Sequence, residues 1–264
     1  MPVATPPVSA ARPLPRDLAA LSRLPPAAAG TRPWLPLALF ALAWAVCVTQ
    51  GGDVWLADRL FALEGGQWSL RHAFATEVLI HRGGRLLSAL AWLCVLAAFG
   101  LSWIQHPRRH LRRHLRRPLL ALLVAVPTSC LLIAALKSGS GVDCPWDLVR
   151  YGGDRPGPGL FELRPAHLPH AACFPAAHAG VGYAWVALYG FFARVRPTLR
   201  WWGLAAGLAM GLLFGISQQL RGAHFLSHDL AALLVCWLVA LAAERLTRDP
   251  DAHPAATPPR CAPR

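Results

Sequence analysis

Residues 217–230 read SQQLRGAHFLSHDL, and the runs on either side of them are almost wholly apolar. Arg221, His224, His228 and Asp229 fall within nine positions of one another. If the flanking runs cross a bilayer, these four groups sit at a membrane face. Ionisable groups there are costly and are retained for a use. The reading of this stretch therefore decides between a buried polar patch in a soluble domain and a functional site on a helical membrane protein.

Composition decides for the membrane. The chain has 264 residues, 55% of them hydrophobic, and a mean hydropathy of +0.39, too apolar for an ordinary soluble domain of this size. A formal net charge of +13 invites comparison with nucleic-acid binders. Its placement argues against that class, because the arginines cluster in short runs beside apolar segments, as topology-setting charges do.

Residues 1–32 are rich in Pro and Ala and lack any helical or strand period, so they read as a disordered cytoplasmic tail. The first apolar run, Trp34–Thr49, is just long enough to span. Its AWA triplet also resembles a signal-peptide cleavage site, but the long preceding tail favours an uncleaved span. Five further runs follow, at Leu86–Ile104, Pro118–Leu136, Phe174–Ala193, Trp201–Leu220 and Leu230–Leu246. Each is near the roughly 20 residues that cross a bilayer as a helix.

The expected fold is an all-α integral membrane protein, a bundle of six transmembrane helices over residues 33–248, with a second tail at 249–264. The runs HPRRHLRRHLRR (106–117) and RVRPTLR (194–200) belong on the cytoplasmic side. Both termini are then cytoplasmic, and residues 50–85, 137–173 and 221–229 fall outside. The arginine pairs at 108–117 recur every four residues. They would form one helical face, able also to touch anionic lipid headgroups.

Two of these outer segments carry the unusual chemistry. Lys137, the only lysine of the 26 basic residues, ends the third span in KSGSGVDCP (137–145). An ammonium and a guanidinium are not interchangeable, although a lysine snorkelling to the interface reads the same way. His178 lies in CFPAAHAG (173–180), at the start of the fourth span. A helix continuing through 217–230 would place Arg221, His224 and His228 on one face. His224 and His228 on that face also suit zinc, and Asp229 can simply pair with Arg221. Phosphoryl transfer uses all of these groups. A neutral imidazole attacks phosphorus, a neighbour fixes its tautomer, cations hold the oxygens and a second histidine protonates the leaving group. A zinc hydrolase needs a third ligand, which the sequence does not offer.

In order and spacing these segments resemble the type 2 phosphatidic acid phosphatase family, membrane relatives of the vanadium haloperoxidases. That family carries KxxxxxxRP, PSGH and SRxxxxxHxxxD. The matching pieces are KSGSGVDCP (137–145), PAAH (175–178) and SQQLRGAHFLSHD (217–229), and the likeness covers about residues 85–246. It implies a six-helix core with the site at the outer face, Lys137 as a phosphate-binding residue, His178 as general acid and His224 as nucleophile. Cys144 and Gln218 replace the motif arginines, and Ala176 and Ala177 replace the motif serine and glycine. His228 occupies the place of the expected aspartate, with Asp229 one step beyond.

Arg221 stands where it could replace the arginine lost at Gln218, and Arg150 or Arg155 could replace the one lost at Cys144. A second alignment makes His228 the nucleophile. Cys144 and Cys173 alone among the seven cysteines fall in an outer loop, which makes them a disulfide candidate if that loop faces a periplasm; free thiols are the alternative. Asp147 and Arg150 either contact a headgroup or pair with each other, and Trp146 and Tyr151 either anchor at the interface or touch ligand.

The sequence thus implies a metal-independent lipid phosphatase or phosphotransferase of a bacterial inner membrane. Its site is periplasmic, it works through a phosphohistidine, and its substrate is a lipid phosphate or pyrophosphate. It needs no cofactor and no nucleic-acid partner. The competing reading is an inactive relative that binds or transports lipid.

Overall fold

A computed structural model describes residues 34–104, 114–157 and 167–248. Both tails, and most of the arginine run expected to form one helical face, lie outside the described residues. By internal contacts the chain divides within its first helix, after Leu39. Residues 34–39 are its opening turns, and the packing described below concerns Phe40 onward.

Every regular element among the described residues is a helix, with no strand. Helix α1 (Trp34–Thr49) meets α2 (Gly52–Leu63) at a 65° bend. Helix α3 (Phe74–Leu101) opens with a π-helical stretch, Phe74–Arg82. Helix α4 is Arg116–Ser138. Residues 177–195 are helical in three short pieces: α5 (Ala177–Tyr183), a tighter 3₁₀ turn (Ala184–Ala187) and α6 (Leu188–Val195). Helix α7 (Arg200–Leu220) and helix α8 (Leu226–Leu246) complete the order.

Four helices, α3, α4, α7 and α8, are long and apolar enough to cross a membrane, and the bent α1–α2 pair counts as a fifth when taken as one span. The described residues therefore carry four or five such spans by length and composition, rather than the expected six. The fourth expected span is helical, but it is interrupted at its middle.

Residues 50–85, expected between the first and second spans, are largely helical. Their charges (Asp53, Asp58, Arg59, Glu77) lower the local hydropathy without stopping helix formation, and α3 begins twelve residues before the expected Leu86. Helix α8 likewise starts at Leu226 rather than Leu230, because Ser227, His228 and Asp229 are buried within its first turn.

Packing centres on a glycine stripe. Gly203, Gly207, Gly211 and Gly215 recur every four residues along α7 and so share one face. A Cβ on Gly207 would meet the backbone of Trp185 and Val186, and one on Gly211 would meet the Tyr183 ring. Small residues at this spacing let two helix backbones approach closely, a common device where lipid offers no hydrophobic drive. The interrupted α5–α6 segment lies in that groove, and the core there comprises Ile133, Ala179, Tyr183, Ala184, Trp185 and Ala232. Trp185 donates from Nε1 to Ser88 Oγ at 2.8 Å, tying the segment to α3.

Candidate active site

Helix α7 does not continue through the histidine segment. Gly222 takes φ +68°, its N–H bonds Gln219 O at 2.9 Å, and the next N–H, of Ala223, bonds Gln218 O at 2.9 Å. This pair of bonds around a left-handed glycine is a Schellman cap, which ends a helix by satisfying its last carbonyls. A Cβ at 222 would also strike the Trp68 ring. Arg221, His224 and His228 consequently do not share one continuous helical face. His224 sits in the turn, and His228 is the third residue of α8.

That turn is the meeting point of the three sequence segments. Trp146 N donates to Gly222 O (2.8 Å), Cys173 N to Val142 O (3.0 Å) and Ala176 N to His228 O (3.1 Å). Cys144 and Cys173 are joined as a disulfide, Cα atoms 5.3 Å apart. From α2, Asp53 Oδ1 accepts the Ser227 N–H at 2.9 Å and so serves one of the open donors at the start of α8. Asp53, Ser227 and His228 line a small cavity of about 190 Å³ with Phe225 and Asp143.

His224 and His228 are both buried, with their Nδ1 atoms 3.3 Å apart. One of the two therefore donates and the other accepts. Burial holds the His224 imidazole well below its ordinary value of 6.5, and the positive fields of a protonated His228 and of Lys137 push it the same way. Asp229 faces elsewhere: its Oδ2 accepts from Gln219 Nε2 at 2.5 Å, and its carboxylate lies against Gly215. Asp229 thus pairs with neither His224 nor Arg221.

His178, in the first turn of α5, is buried between two rings. His81 lies 4.4 Å away and Phe214 is stacked at 4.5 Å. Neither nitrogen of His178 has a well-formed hydrogen bond among the described residues. Ala176 is the residue preceding α5 and cannot cap it, because it lacks the hydroxyl that a serine would offer. Lys137 is half-buried at the end of α4, and among the described residues its ammonium makes no ion pair.

The two candidate arginines are already engaged. Arg221 is buried, pairs with Glu77, and donates to Arg71 O (2.9 Å) and Gln218 Oε1 (3.2 Å). Burial lowers its affinity for the proton. Arg150 forms a two-point pair with Asp58 at 2.7 and 2.6 Å, and that carboxylate holds its guanidinium firmly protonated. The Tyr151 hydroxyl joins Asp58 at 3.0 Å. Arg155 pairs with buried Asp143 at 2.7 Å and reaches Asp147 at 4.0 Å, so Asp147 and Arg150 do not pair with each other. Trp146 carries Arg71 over its ring at 4.2 Å.

Cys173 Sγ, His224 and His228 are the one tight group of metal-ligand types among the described residues. The sulfur belongs to the disulfide and is no thiolate, so the donor set reduces to two imidazoles, short of a zinc site.

Sequence reasoning missed Asp53, Glu77 and His81. Glu77, His81 and Arg85 recur at intervals of four, which was a readable sign that α3 begins before its apolar run. Nothing in the spacing marks Asp53 as a partner for Ser227.

The family model of the PAP2 superfamily matches residues 118–250, just over half of the chain. The chain belongs to the PAP2 superfamily, whose activity is in general that of phosphatases on phosphate esters. Among curated proteins and among solved structures, nothing matches. All three motif segments, from Lys137 to Asp229, lie within the matched residues.

Proposed function

We propose that this protein is a membrane-embedded phosphatase or phosphotransferase acting on a lipid phosphate or pyrophosphate through a phosphohistidine on His224. The observation that carries this reading is the Nδ1–Nδ1 approach of His224 and His228. When His224 Nδ1–H donates to a neutral His228, the proton is fixed on Nδ1 and the Nε2 lone pair is free to attack phosphorus. His228 then does with a neutral ring what the family's aspartate does with a charge. Lys137 supplies positive charge near the phosphoryl oxygens. His178 protonates the leaving oxygen.

Arg221 contributes through Glu77 and Gln218, by setting the end of α7, rather than as a free phosphate clamp. Arg150 and Arg155 fasten the 144–157 loop. We further propose that the site opens on the outer, periplasmic side of a bacterial inner membrane, with the arginine runs at 106–117 and 194–200 inside, and that the reaction needs no metal.

The competing reading, a relative that binds lipid without turnover, draws on the engaged Arg221 and on Ala176 and Ala177. Phosphate release from a panel of lipid phosphates and pyrophosphates, with chelator present, separates the two. Turnover that falls at least about a hundredfold in His224→Ala supports the enzyme. Absence of turnover on every lipid, with and without an acceptor lipid, supports the binder.

A further inference from the structure

The Cys144–Cys173 bridge has two unlike ends. Cys173 is fully buried, whereas Cys144 is only half-buried, in the loop just before Pro145. The buried sulfur lies against the histidines. Cys173 Sγ is 3.5 Å from His224 Nδ1, and His224 Nδ1 is 3.3 Å from His228 Nδ1. One donor atom from each of these three buried residues falls within 4.8 Å of the other two.

These spacings match the edges of a metal's coordination sphere. A tetrahedral zinc with Zn–N of about 2.05 Å and Zn–S of about 2.3 Å holds two nitrogens about 3.3 Å apart, and a nitrogen and a sulfur about 3.6 Å apart. Three protein ligands suffice when water takes the fourth position. Room for it lies beside His228, where the cavity of about 190 Å³ is also walled by Asp53 and Asp143, far more space than one water needs. Carboxylates along that approach favour the entry of a cation. The bridged protein lacks only the third ligand, because the thiolate and not a disulfide sulfur binds metal.

We propose that Cys173, His224 and His228 form a redox-gated zinc site, closed while the disulfide stands and opened when a dithiol reductant cleaves it. One thiolate of the reductant attacks Sγ of Cys144, the accessible end, and the S–S electron pair leaves on Cys173 as a thiolate. The reductant's second thiolate then attacks the mixed disulfide, and the reductant departs as its own disulfide. Of its two protons, one ends on the Cys144 thiol and the other in solvent. Zinc binds the Cys173 thiolate and the Nδ1 lone pairs of both imidazoles. A neutral imidazole coordinated through Nδ1 carries its proton on Nε2, so the Nδ1 proton of His224 moves to Nε2. On the reading of His224 as nucleophile, on which this consequence rests, Nε2 is the attacking atom. Zinc thus reverses the tautomer that the reaction needs and silences the site, and the disulfide guards the nucleophile against metal.

The test uses the intact, tag-free protein in detergent and compares Cys144→Ser with Cys144→Ser/Cys173→Ser. Both lack the bridge, and they differ in one sulfur atom. Cobalt(II) serves as the spectroscopic probe for zinc. Cys144→Ser should bind one cobalt per chain, with the visible bands of a tetrahedral ion and a near-ultraviolet thiolate band, both lost when zinc displaces it. The double variant should lack the thiolate band and bind at least about ten- to a hundredfold more weakly, the range that loss of even a supporting residue costs. Wild-type protein, which needs no variant to fold, should match the double variant when oxidised. After dithiol treatment, and removal of the reductant under nitrogen, it should match Cys144→Ser. Lipid-phosphate turnover by Cys144→Ser should fall at least about tenfold with zinc and return with chelator, against a change under about twofold in the double variant. Equal affinity in the two variants, or no thiolate band in Cys144→Ser and reduced wild-type protein, overturns the proposal. So does zinc that leaves turnover by Cys144→Ser undiminished or raises it. If no lipid is turned over at all, the nucleophile reading fails while the cobalt spectra still decide the site.

Discussion

The proposed chemistry turns on the exchange of one side chain. Where the family resemblance calls for an aspartate four residues after the nucleophile, this chain has His228, and the neighbouring Asp229 is turned toward Gln219 instead. A carboxylate would stabilise the imidazolium and raise its pKa; a neutral imidazole does not, and burial lowers that of His224 further. On the proposed mechanism His224 therefore stays unprotonated, and able to attack, at pH values where a free histidine is already charged. The acid limb of kcat/KM set by this residue should lie below pH 6.5. Stability carries the same sign. Above 6.5 the folded and unfolded states both hold a neutral His224, and as pH falls below it the unfolded state takes the proton first, so folding weakens. His228→Asp should shift the acid limb to higher pH with activity retained, and His228→Ala should lose about a hundredfold or more. A pH–rate profile in which His228→Asp leaves the acid limb unmoved would refute this role.

At the scale of elements, α7 sets the site through two opposite uses of glycine. The stripe at 203, 207, 211 and 215 brings α5–α6 and the Asp229 carboxylate against the α7 backbone, while Gly222 stops the helix so that His224 falls in a turn. Adding a methyl group at Gly207 meets backbone atoms of Trp185 and Val186, which cannot swing aside as a side chain can. Gly207→Ala should cost about 1–3 kcal/mol through overpacking, more than the helix-propensity gain of about 1 kcal/mol that alanine brings. Thermal unfolding in detergent should show a lower Tm, and an unchanged or higher Tm would mean that α5–α6 does not pack against the stripe. The disulfide from Cys144 to Cys173 works between elements. It closes a separation of 29 residues, contributes about 3–4 kcal/mol by the chain-entropy argument, and holds the first motif segment against the second beside His224.

Across the whole molecule, what was legible followed from how far its physical cause extends along the chain. Hydropathy is a local property, so α4, α7 and α8 were readable nearly to their ends, and motif order placed Lys137, His178 and His224 on segments that do converge. Contacts between distant residues leave no such trace. Arg221 looked like a free guanidinium because Glu77 is 144 residues away; Arg150 looked the same because Asp58 is 92 away. The charges on α2 and the start of α3 kept these helices out of the apolar runs read as spans. Those same elements bring Asp53 to the start of α8 and His81 to His178, so the region before residue 118 completes a site whose motif residues all follow it.

The central claim is that His224 carries the phosphoryl group, and rapid-quench trapping tests it most directly. Protein mixed with a lipid diphosphate labelled in its distal phosphate would be quenched in alkali, where phosphohistidine survives, and the labelled peptide fragmented to locate the modified ring. The account predicts label on His224 in the wild-type protein and none in His224→Ala. Label on His228, or turnover with no labelled histidine at all, would contradict it.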